Sequence, residues 1–350
     1  MLLPSVSNRL RNDVGFGAIV RDESPSARGS ACDGSEVRMR RTVVPYDADQ
    51  AYHRSTPQIR SSMRLGLHAL GIGTGARRDI IDAVAHHAET RGFRTLWCGE
   101  HVVMVDDPAS PYPYTPDKRI AVPAEADWLD PTIALSFAAA VTDTIRLATG
   151  VLLLPEHNPV IVAKQAASLD RLSGGRLTLG VGVGWSREEF DALGVPFEQR
   201  GARADSYADA MRVLWRDEVA SYHSEFVAFE NIRVNPRPAA GHIPFVVGGN
   251  SDRALRRVVG WGDGWYGFNL DDVDAVADRI NTIERLCSEK GRDRTELDVA
   301  VALRDPHPAD RDRLAALGVD ELVLVESPPA EADAVPGWLD ELVSRWGVED

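Results

Sequence analysis

The chain has 350 residues, 44% of them hydrophobic, so it can bury a sizeable core in one large domain or two ordinary ones. A net charge of −14 argues against a nucleic-acid-binding protein, because Lys and Arg are not in surplus to replace phosphate counterions. Three widely spaced cysteines form no CxxC pair and indicate neither a disulfide framework nor a metal site. No apolar run approaches the ~20 residues of a membrane span. We therefore predict a cytoplasmic protein with no membrane partner.

Residues 1–62 differ in composition from the rest of the chain. They contain nine arginines against seven acidic residues and no sustained hydrophobic period, so we predict that this segment is disordered. Met63 stands directly before a strand-like stretch, which suggests that translation starts there and that 1–62 is dispensable. A genuine targeting or interaction extension is the alternative. We predict one folded domain over 63–350.

From residue 64 onward, strand-like and helix-like stretches alternate. Eight strand–helix units predict an α/β fold, a (β/α)8 TIM barrel with insertions at its C-terminal mouth. A doubly wound open sheet fits less well, because no GxGxxG motif follows the first strand. The predicted strands are 64–70, Thr95–Cys98, Arg146–Leu154, 177–183, Pro244–Val247, Gly264–Gly267, Leu297–Leu303 and Glu321–Val325. The predicted helices are Asp79–Arg91, Pro131–Val141, Val160–Leu172, 207–215, Asp252–Gly260, Val273–Lys290, Arg311–Leu317 and Trp338–Trp346.

Three segments interrupt this alternation: a loop at Val105–Asp130, an insertion at Ser186–Arg203 and a hairpin at Ser221–Pro238. Loops of a barrel vary freely while the barrel stays constant, so we expect the first two to shape a substrate pocket. Their aromatic residues favour an apolar or ring-containing substrate. These residues are Tyr112, Tyr114, Trp128 and Phe190.

The fourth predicted strand lies within the glycine-rich stretch DRLSGGRLTLGVGVGW at 170–185. Gly180, Gly182 and Gly184 remove side chains from the C-terminal end of this strand, so a planar ligand can lie against bare backbone. In a TIM barrel this end of the strand faces the active site. The pattern therefore predicts a pocket for a planar ligand.

Histidines at strand ends are the candidates for proton transfer. His101 follows the second strand directly, beside Glu100, and the ordinary pKa of histidine suits proton transfer near neutrality. A structural histidine is the alternative. His68, at the end of the first strand, is a weaker candidate, and His157, in a loop, is assigned no role.

An anion site is predicted where Gly248–Ser251 opens a helix. Free backbone N–H groups and the helix dipole favour a phosphate there, with Arg253 or Arg256 adding charge. No metal site is predicted, because there is no HExxH motif or cysteine pair. The sequence contains no GxSxG motif, which would indicate a serine hydrolase, and no Walker loop, which would indicate an NTPase.

Four segments resemble the luciferase-like monooxygenase superfamily, and more specifically its branch of coenzyme F420-dependent oxidoreductases. They are TLWCGEH at 95–101, the run from RLATG to GVGW at 146–185, EEFDALGVPFEQRGARADSY at 188–207, and PFVVGGNSDRALRRVVGWGDGWYG at 244–267. They stand in the family's order and spacing, and the resemblance covers roughly residues 64–346. It implies a TIM barrel with a flavin or deazaflavin ring in the mouth.

The resemblance also implies roles for individual residues. The ring is backed by a bulge with a non-proline cis peptide at Gly150–Val151, and His101 transfers the proton with Glu100 beside it. The implied cofactor contacts are Gly150, Val151, Leu153, Gly182, Gly184, Trp185, Gly248, Gly249, Asn250 and Ser251. We predict His68 as a further cofactor contact from its place at the end of the first strand.

The function implied is hydride transfer between coenzyme F420 and a small organic substrate. An FMN-dependent luciferase-like monooxygenase is one alternative, and a catalytically inactive flavin-binding protein is another. The family often dimerises through barrel helices, so a homodimer is the implied assembly.

Overall fold

The computed structural model describes residues 63–347, so the interpretation of residues 1–62 lies outside the described part. Within 63–347, strands and helices alternate as predicted. In chain order the elements are β1 (Arg64–Leu70), α1 (Arg78–Thr90), β2 (Thr95–Cys98), α2 (Pro131–Ala140), β3 (Arg146–Thr149), β4 (Leu152–Leu153), α3 (Pro159–Ser173), β5 (Leu177–Gly182), α4 (Arg187–Ala192), α5 (Arg200–Arg216), β6 (Ala220–His223), β7 (Ala228–Ile232), β8 (Phe245–Gly248), α6 (Asp252–Trp261), β9 (Gly264–Leu270), α7 (Val273–Lys290), β10 (Asp298–Leu303), α8 (Asp310–Ala316), β11 (Glu321–Val325) and α9 (Val335–Trp346).

Parallel pairing closes these strands into a barrel. β1 pairs with β2 on one side and with β11 on the other, and the series continues through β10, β9 and β8 to β5. The ring is completed where β3 pairs with both β2 and β5, in the register Leu147 to Leu177. Closure confirms the TIM barrel and excludes the open sheet.

The third barrel strand is split, whereas the sequence predicted an unbroken strand over Arg146–Leu154. β3 ends at Thr149, β4 resumes at Leu152, and both halves pair with β5. Between them Gly150 and Val151 are joined by a cis peptide bond, as the resemblance implied. A 3₁₀ turn, Leu154–Glu156, follows directly and ends the strand.

The helices cover the barrel because each presents an apolar face to it. On α1, Ile80, Val84 and Ala88 are fully buried at helical spacing. Asn158 caps α3 by accepting hydrogen bonds from the N–H groups of Val160 and Ile161. Packing of these faces forms one continuous core around the sheet.

The barrel interior has its own aromatic core. Trp97 stacks on Tyr266 with ring centroids 4.5 Å apart, and the Trp97 indole N–H donates to the buried carboxylate of Glu321 at 2.8 Å. Burial of a carboxylate requires such donors. Trp97, held by Glu321, therefore fixes the position of the Tyr266 ring at the bottom of the barrel mouth.

The segments outside the barrel are more ordered than the sequence indicated. The predicted insertion contains the helix α4 and the first turn of α5, and β6 with β7 forms the predicted hairpin. Helix α9 begins at Val335 rather than Trp338, because Pro336 is well suited to a first turn.

Over residues 63–347, no helix is both long and apolar enough to cross a membrane.

Candidate active site

A cavity of about 1230 Å³ opens at the C-terminal ends of the barrel strands. Thirteen of the residues that the sequence singled out for the site line this cavity, and their roles stay predictions. The residues in question are His68, Glu100, His101, Gly150, Val151, Leu153, Gly182, Gly184, Trp185, Gly248, Gly249, Asn250 and Ser251.

His101 is paired with a carboxylate that the sequence analysis did not identify. Nδ1 of His101 lies 2.8 Å from Oε2 of Glu189, on α4. The other oxygen, Oε1, accepts the backbone N–H groups of Val102 at 2.7 Å and Val103 at 3.2 Å. Glu189 is 1% exposed, so its charge acts on His101 with little screening by water. This arrangement fixes the orientation of the imidazole ring.

Two tryptophans hold the other side of the His101 ring. Trp128 contacts it edge-on with centroids 4.9 Å apart, and Trp185 does so at 5.8 Å. The Trp185 indole N–H is 3.4 Å from Nε2 of His101. Nε2 is the ring nitrogen that Glu189 does not hold, and it accepts this long hydrogen bond, which a bound ligand would have to replace.

Glu100 is turned toward the bulge. Oε2 accepts the backbone N–H of Leu153 at 2.6 Å, and both carboxylate oxygens lie 3.0 Å from Nε2 of His157. Burial would lower the pKa of His157, but the hydrogen bond and charge of Glu100 outweigh burial and raise it. His157, which received no role from the sequence, therefore helps Glu100 to hold Leu153 in place.

His68 lies at the floor of the cavity. Its Nδ1 is 3.4 Å from the hydroxyl of Tyr266, and its Nε2 has no hydrogen-bond partner among residues 63–347. Burial lowers the pKa of His68 to about 4, so the ring is neutral near pH 7. It offers a ligand one uncharged ring nitrogen.

The missing side chains of Gly180 and Gly182 on β5, and of Gly248 on β8, leave room for protein atoms. A methyl group added to Gly182 would lie 2.7 Å from Cγ2 of Val151, and one added to Gly248 would lie 2.8 Å from Cγ1. At Gly180 the same position is taken by the carbonyl oxygen of Thr149. The space that we assigned to a planar ligand along this strand is filled by the bulge. Contact of a ligand with Gly182 is therefore contact with its backbone.

The anion site predicted at Gly248–Ser251 has the expected helix start. The hydroxyl of Ser251 accepts the N–H of Ala254 at 3.3 Å and caps α6. The side chain of Asn250 is occupied by the backbone of Phe268, which it meets at 2.8 and 3.2 Å. Asn250 therefore shapes the loop, and backbone N–H groups are left to meet an anion.

Four arginines, which we call the arginine rim, line the cavity beside this loop. Burial, and then the charges of the other three, lower the pKa of Arg200. Two are paired: Arg187 with Glu198 at 2.8 Å and Arg257 with Asp205 at 2.7 Å. The concentration of positive charge suits an anionic group. The rim consists of Arg187, Arg200, Arg253 and Arg257; Arg256 is not part of the cavity lining.

The loop at residues 105–130, which we call the roof loop, covers the cavity. It is anchored to α4, where Oε1 of Glu188 accepts the N–H groups of Ala109 at 2.8 Å and Ser110 at 3.0 Å. Tyr112 and Tyr114 pack edge-on against each other inside the cavity. The pocket wall is aromatic, as predicted.

Phe190 is an exception to this prediction. It is completely buried, packs against Phe197 and does not line the cavity. The first turn of α4 points it into the space left by Gly184, where an added methyl group would lie 2.6 Å from its ring.

Together these features fit a planar ring with an anionic tail. The unpartnered nitrogen of His68 and the bulge at Val151 lie at the floor, and the α6 terminus and arginine rim lie at one side. Among residues 63–347, no group of three or more His, Cys, Asp or Glu side chains is arranged to hold a metal ion.

Comparisons with known proteins point to one family. The model of the family described as luciferase-like monooxygenase matches residues 62–323. An uncharacterized protein of Mycobacterium tuberculosis is 36% identical over 264 residues, which is 75% of this chain and 92% of the relative.

Two solved structures illustrate the range of similar folds. The coenzyme F420-dependent tetrahydromethanopterin reductase from Methanopyrus kandleri has a TM-score of 0.61 at 17% identity, covering 79% of this chain and 97% of that one. The oxygenating constituent of 3,6-diketocamphane monooxygenase from Pseudomonas putida, in complex with FMN, has a TM-score of 0.54 at 18% identity, covering 82% and 77%. At these identities the similarity shows the fold alone.

Proposed function

The chain belongs to the luciferase-like monooxygenase family and is an oxidoreductase of flavin or deazaflavin type, and from that premise we propose that it uses coenzyme F420. The observation that carries the proposal is the His101–Glu189 pair at 2.8 Å, which presents one ring nitrogen to a cavity suited to a planar ring. A bound deazaflavin supplies hydride transfer, and the protein must position the acceptor and manage one proton.

The floor and side of the cavity would hold the cofactor. Val151 and Leu153 would back the ring, with Leu153 kept in place by Glu100. His68 would meet the ring edge with its unpaired Nε2. The α6 terminus at Ser251 and Arg200 of the arginine rim would bind the phosphate.

His101 would exchange a proton with the substrate through Nε2. The Glu189 carboxylate holds Nδ1 and so fixes the ring orientation. Trp128 and Trp185 contact the ring edge-on and restrict its rotation. Proton transfer to or from an oxygen or carbon near Nε2 is thus prepared before the substrate binds.

We propose a small apolar or ring-containing substrate. Tyr112, Tyr114, Trp128 and Phe268 give the cavity an aromatic wall that favours planar or aliphatic groups over charged ones.

The cofactor proposal is tested by titrating the purified full chain with coenzyme F420 and, separately, with FMN, following fluorescence. Tight binding of F420 and weak binding of FMN would support the proposal. The opposite preference would assign the protein to the oxygen-using monooxygenases, and oxygen consumption would then be measured. Binding of neither would refute the assignment of the cofactor residues.

Substitution of Glu189 by Gln separates an active enzyme from an inactive binding protein. The substitution keeps the shape of the side chain but removes the carboxylate that holds Nδ1 of His101, so turnover should fall while cofactor affinity stays. Cofactor binding without turnover across substrate classes in the parent protein would favour the inactive alternative.

We also propose a homodimer formed through neighbouring helices α2 and α3. Their outer faces expose large apolar side chains, which water covers poorly in a monomer. Phe137→Asp should then dissociate the dimer in sedimentation experiments, whereas a monomeric parent protein would refute it. The exposed residues are Ile133, Phe137, Ile161 and Leu172.

A further inference from the structure

The short segment that follows β5 contacts both ring nitrogens of His101. Gly184 has a φ of +75°, a left-handed conformation that glycine adopts without a steric penalty, and it turns the chain out of the strand. Ser186 then caps α4 by accepting the N–H of Glu189 at 3.3 Å. The turn and the cap bring the Trp185 indole and the Glu189 carboxylate to the same imidazole ring. One stretch of chain therefore governs the hydrogen bonding of both nitrogens.

The two contacts determine which nitrogen of His101 carries the proton. A carboxylate only accepts hydrogen bonds, so Nδ1, at 2.8 Å from Oε2 of Glu189, is the nitrogen that donates. An indole N–H only donates, so Nε2, at 3.4 Å from Nε1 of Trp185, offers its lone pair. In this arrangement the His101 ring has its proton on Nδ1 and can receive a hydrogen bond at Nε2.

The hydrogen bond between Trp185 and His101 lies in the cavity and is easily replaced. Both side chains line the cavity, and their ring planes cross at 82°. At 3.4 Å the bond is longer than is usual for an N–H donor, so little is lost when it breaks. The neighbouring Trp128, by contrast, donates its indole N–H to the carbonyl of Gly99 at 3.1 Å. A ligand group that enters between Trp185 and His101 therefore meets a donor and an acceptor side by side.

A hydroxyl group matches this donor–acceptor pair. Its oxygen can donate a proton to Nε2 and accept the indole N–H at the same time, so two hydrogen bonds replace one long bond. An apolar group would leave both partners unsatisfied, and a carbonyl or ether oxygen would leave Nε2 without a donor. Such losses discriminate strongly between ligands in a buried site.

The surroundings of the pair are aromatic. Tyr112 of the roof loop packs edge-on against Trp185 with ring centroids 5.2 Å apart, and Trp128 does so against His101 at 4.9 Å. These rings favour an apolar or planar frame next to the hydroxyl.

We propose that Nε2 of His101 and the indole N–H of Trp185 form a subsite for one hydroxyl group of the substrate. Trp185 is then a substrate-binding residue, and the substrate class is an apolar or ring-containing alcohol. The hydroxyl proton points to Nε2, the nitrogen to which the proposed function assigns proton exchange. The proposal rests on that function only in taking the ligand to be the substrate, because the subsite consists of donors and acceptors of the free protein.

The experiment measures the affinity of the full chain, without cofactor, for benzyl alcohol and for ethylbenzene by NMR titration. The two probes share a ring, but ethylbenzene carries a methyl group where benzyl alcohol carries the hydroxyl. Ethylbenzene breaks the bond between Trp185 and His101 and satisfies neither partner, whereas benzyl alcohol satisfies both. The ratio of the two affinities should therefore fall about fivefold, the effect of one hydrogen bond, in Trp185→Phe and likewise in His101→Ala.

The matched control is Trp338→Phe, in α9 and outside the cavity lining, which should leave the ratio unchanged. Because the ratio compares two ligands on one variant, any general loosening of the cavity cancels. A parent-like ratio in Trp185→Phe or in His101→Ala would overturn the proposal. Failure of benzyl alcohol to bind the parent protein would overturn it too, because the subsite would then be closed to a hydroxyl.

A second measurement needs neither probe and no change at Trp185. The ring nitrogens of His101 are observed by NMR at pH 8 in the full chain labelled with ¹⁵N-histidine, and their signals are assigned by their loss in His101→Gln. The proton should reside on Nδ1, and a proton on Nε2 would overturn the proposal. Both measurements are made without cofactor, so their outcome is distinguishable from a failure to bind coenzyme F420.

Discussion

Glu156 ends the 3₁₀ turn after β4, is 7% exposed, and has no hydrogen-bond partner for either carboxyl oxygen among residues 63–347. Replacing it by Gln is expected to stabilise the protein in a manner that depends on pH. The carboxyl has a pKa of about 9 in the folded chain against an ordinary value of 4.5, so folding retains a proton that the unfolded chain releases above pH 4.5. The stability that this proton confers is present in full below pH 4.5 and is lost as the pH rises toward 9. At pH 7, about 2.5 units above the ordinary value, the loss reaches up to about 3 kcal/mol at roughly 1.4 kcal/mol per unit. Glutamine has no such dependence.

The assay is urea unfolding followed by tryptophan fluorescence between pH 4.5 and 8. Comparison of Glu156→Gln with the parent at each pH cancels the titration of all other groups. The variant should match the parent at pH 4.5 and exceed its stability by up to about 3 kcal/mol at pH 7. Glu284→Gln is the control, because Glu284 is exposed on α7, and its stability should not differ from that of the parent in a pH-dependent way. A variant that is less stable than the parent at pH 7 would refute the reasoning, because Glu156 would then be a partnered anion.

Three further changes test the site. His101→Ala should lower turnover about 100-fold or more with cofactor affinity retained, as loss of a general acid–base does; unchanged turnover would remove His101 from the mechanism. Gly182→Ala should destabilise the protein by about 1–3 kcal/mol in urea unfolding, because its methyl group would lie 2.7 Å from Val151. Gly337→Ala, in α9 with open space around it, is the control and should be neutral or stabilising. Arg200→Gln should weaken cofactor binding about tenfold and reduce its salt dependence, measured by titration at several ionic strengths; unaltered affinity would exclude Arg200 from the phosphate site.

The barrel fold and the location of the candidate site could be predicted from the sequence, because both depend on local patterns. Apolar periodicity marks each strand, and parallel strands in a barrel must end at one mouth. His68, His101 and Gly248 could therefore be brought together without knowledge of their contacts. The split of β3 by Val151 was not visible in its apolar pattern and came only from the resemblance.

The contacts that give these residues their chemistry were not predictable in the same way. Glu189 lies 88 positions from His101, in a Ser–x–x–Glu pattern that usually marks only a helix cap. Ser186 does cap α4, but the Glu189 carboxylate turns away to His101 instead. His157 and Glu156 lie in an irregular turn that follows the bulge. The directions of their side chains could not be predicted from any hydrophobic periodicity in the sequence.

The packing of Val151 limits the size of the side chains that the two neighbouring strands can carry at Gly182 and Gly248. Its two methyl groups occupy the volumes that side chains on Gly182 of β5 and Gly248 of β8 would need. The three positions therefore accept substitutions as a set, and their effects on stability should not add. A smaller residue at 151 would free volume under the ring site and allow alanine on either strand. The depth of the cavity can thus be changed from this single position.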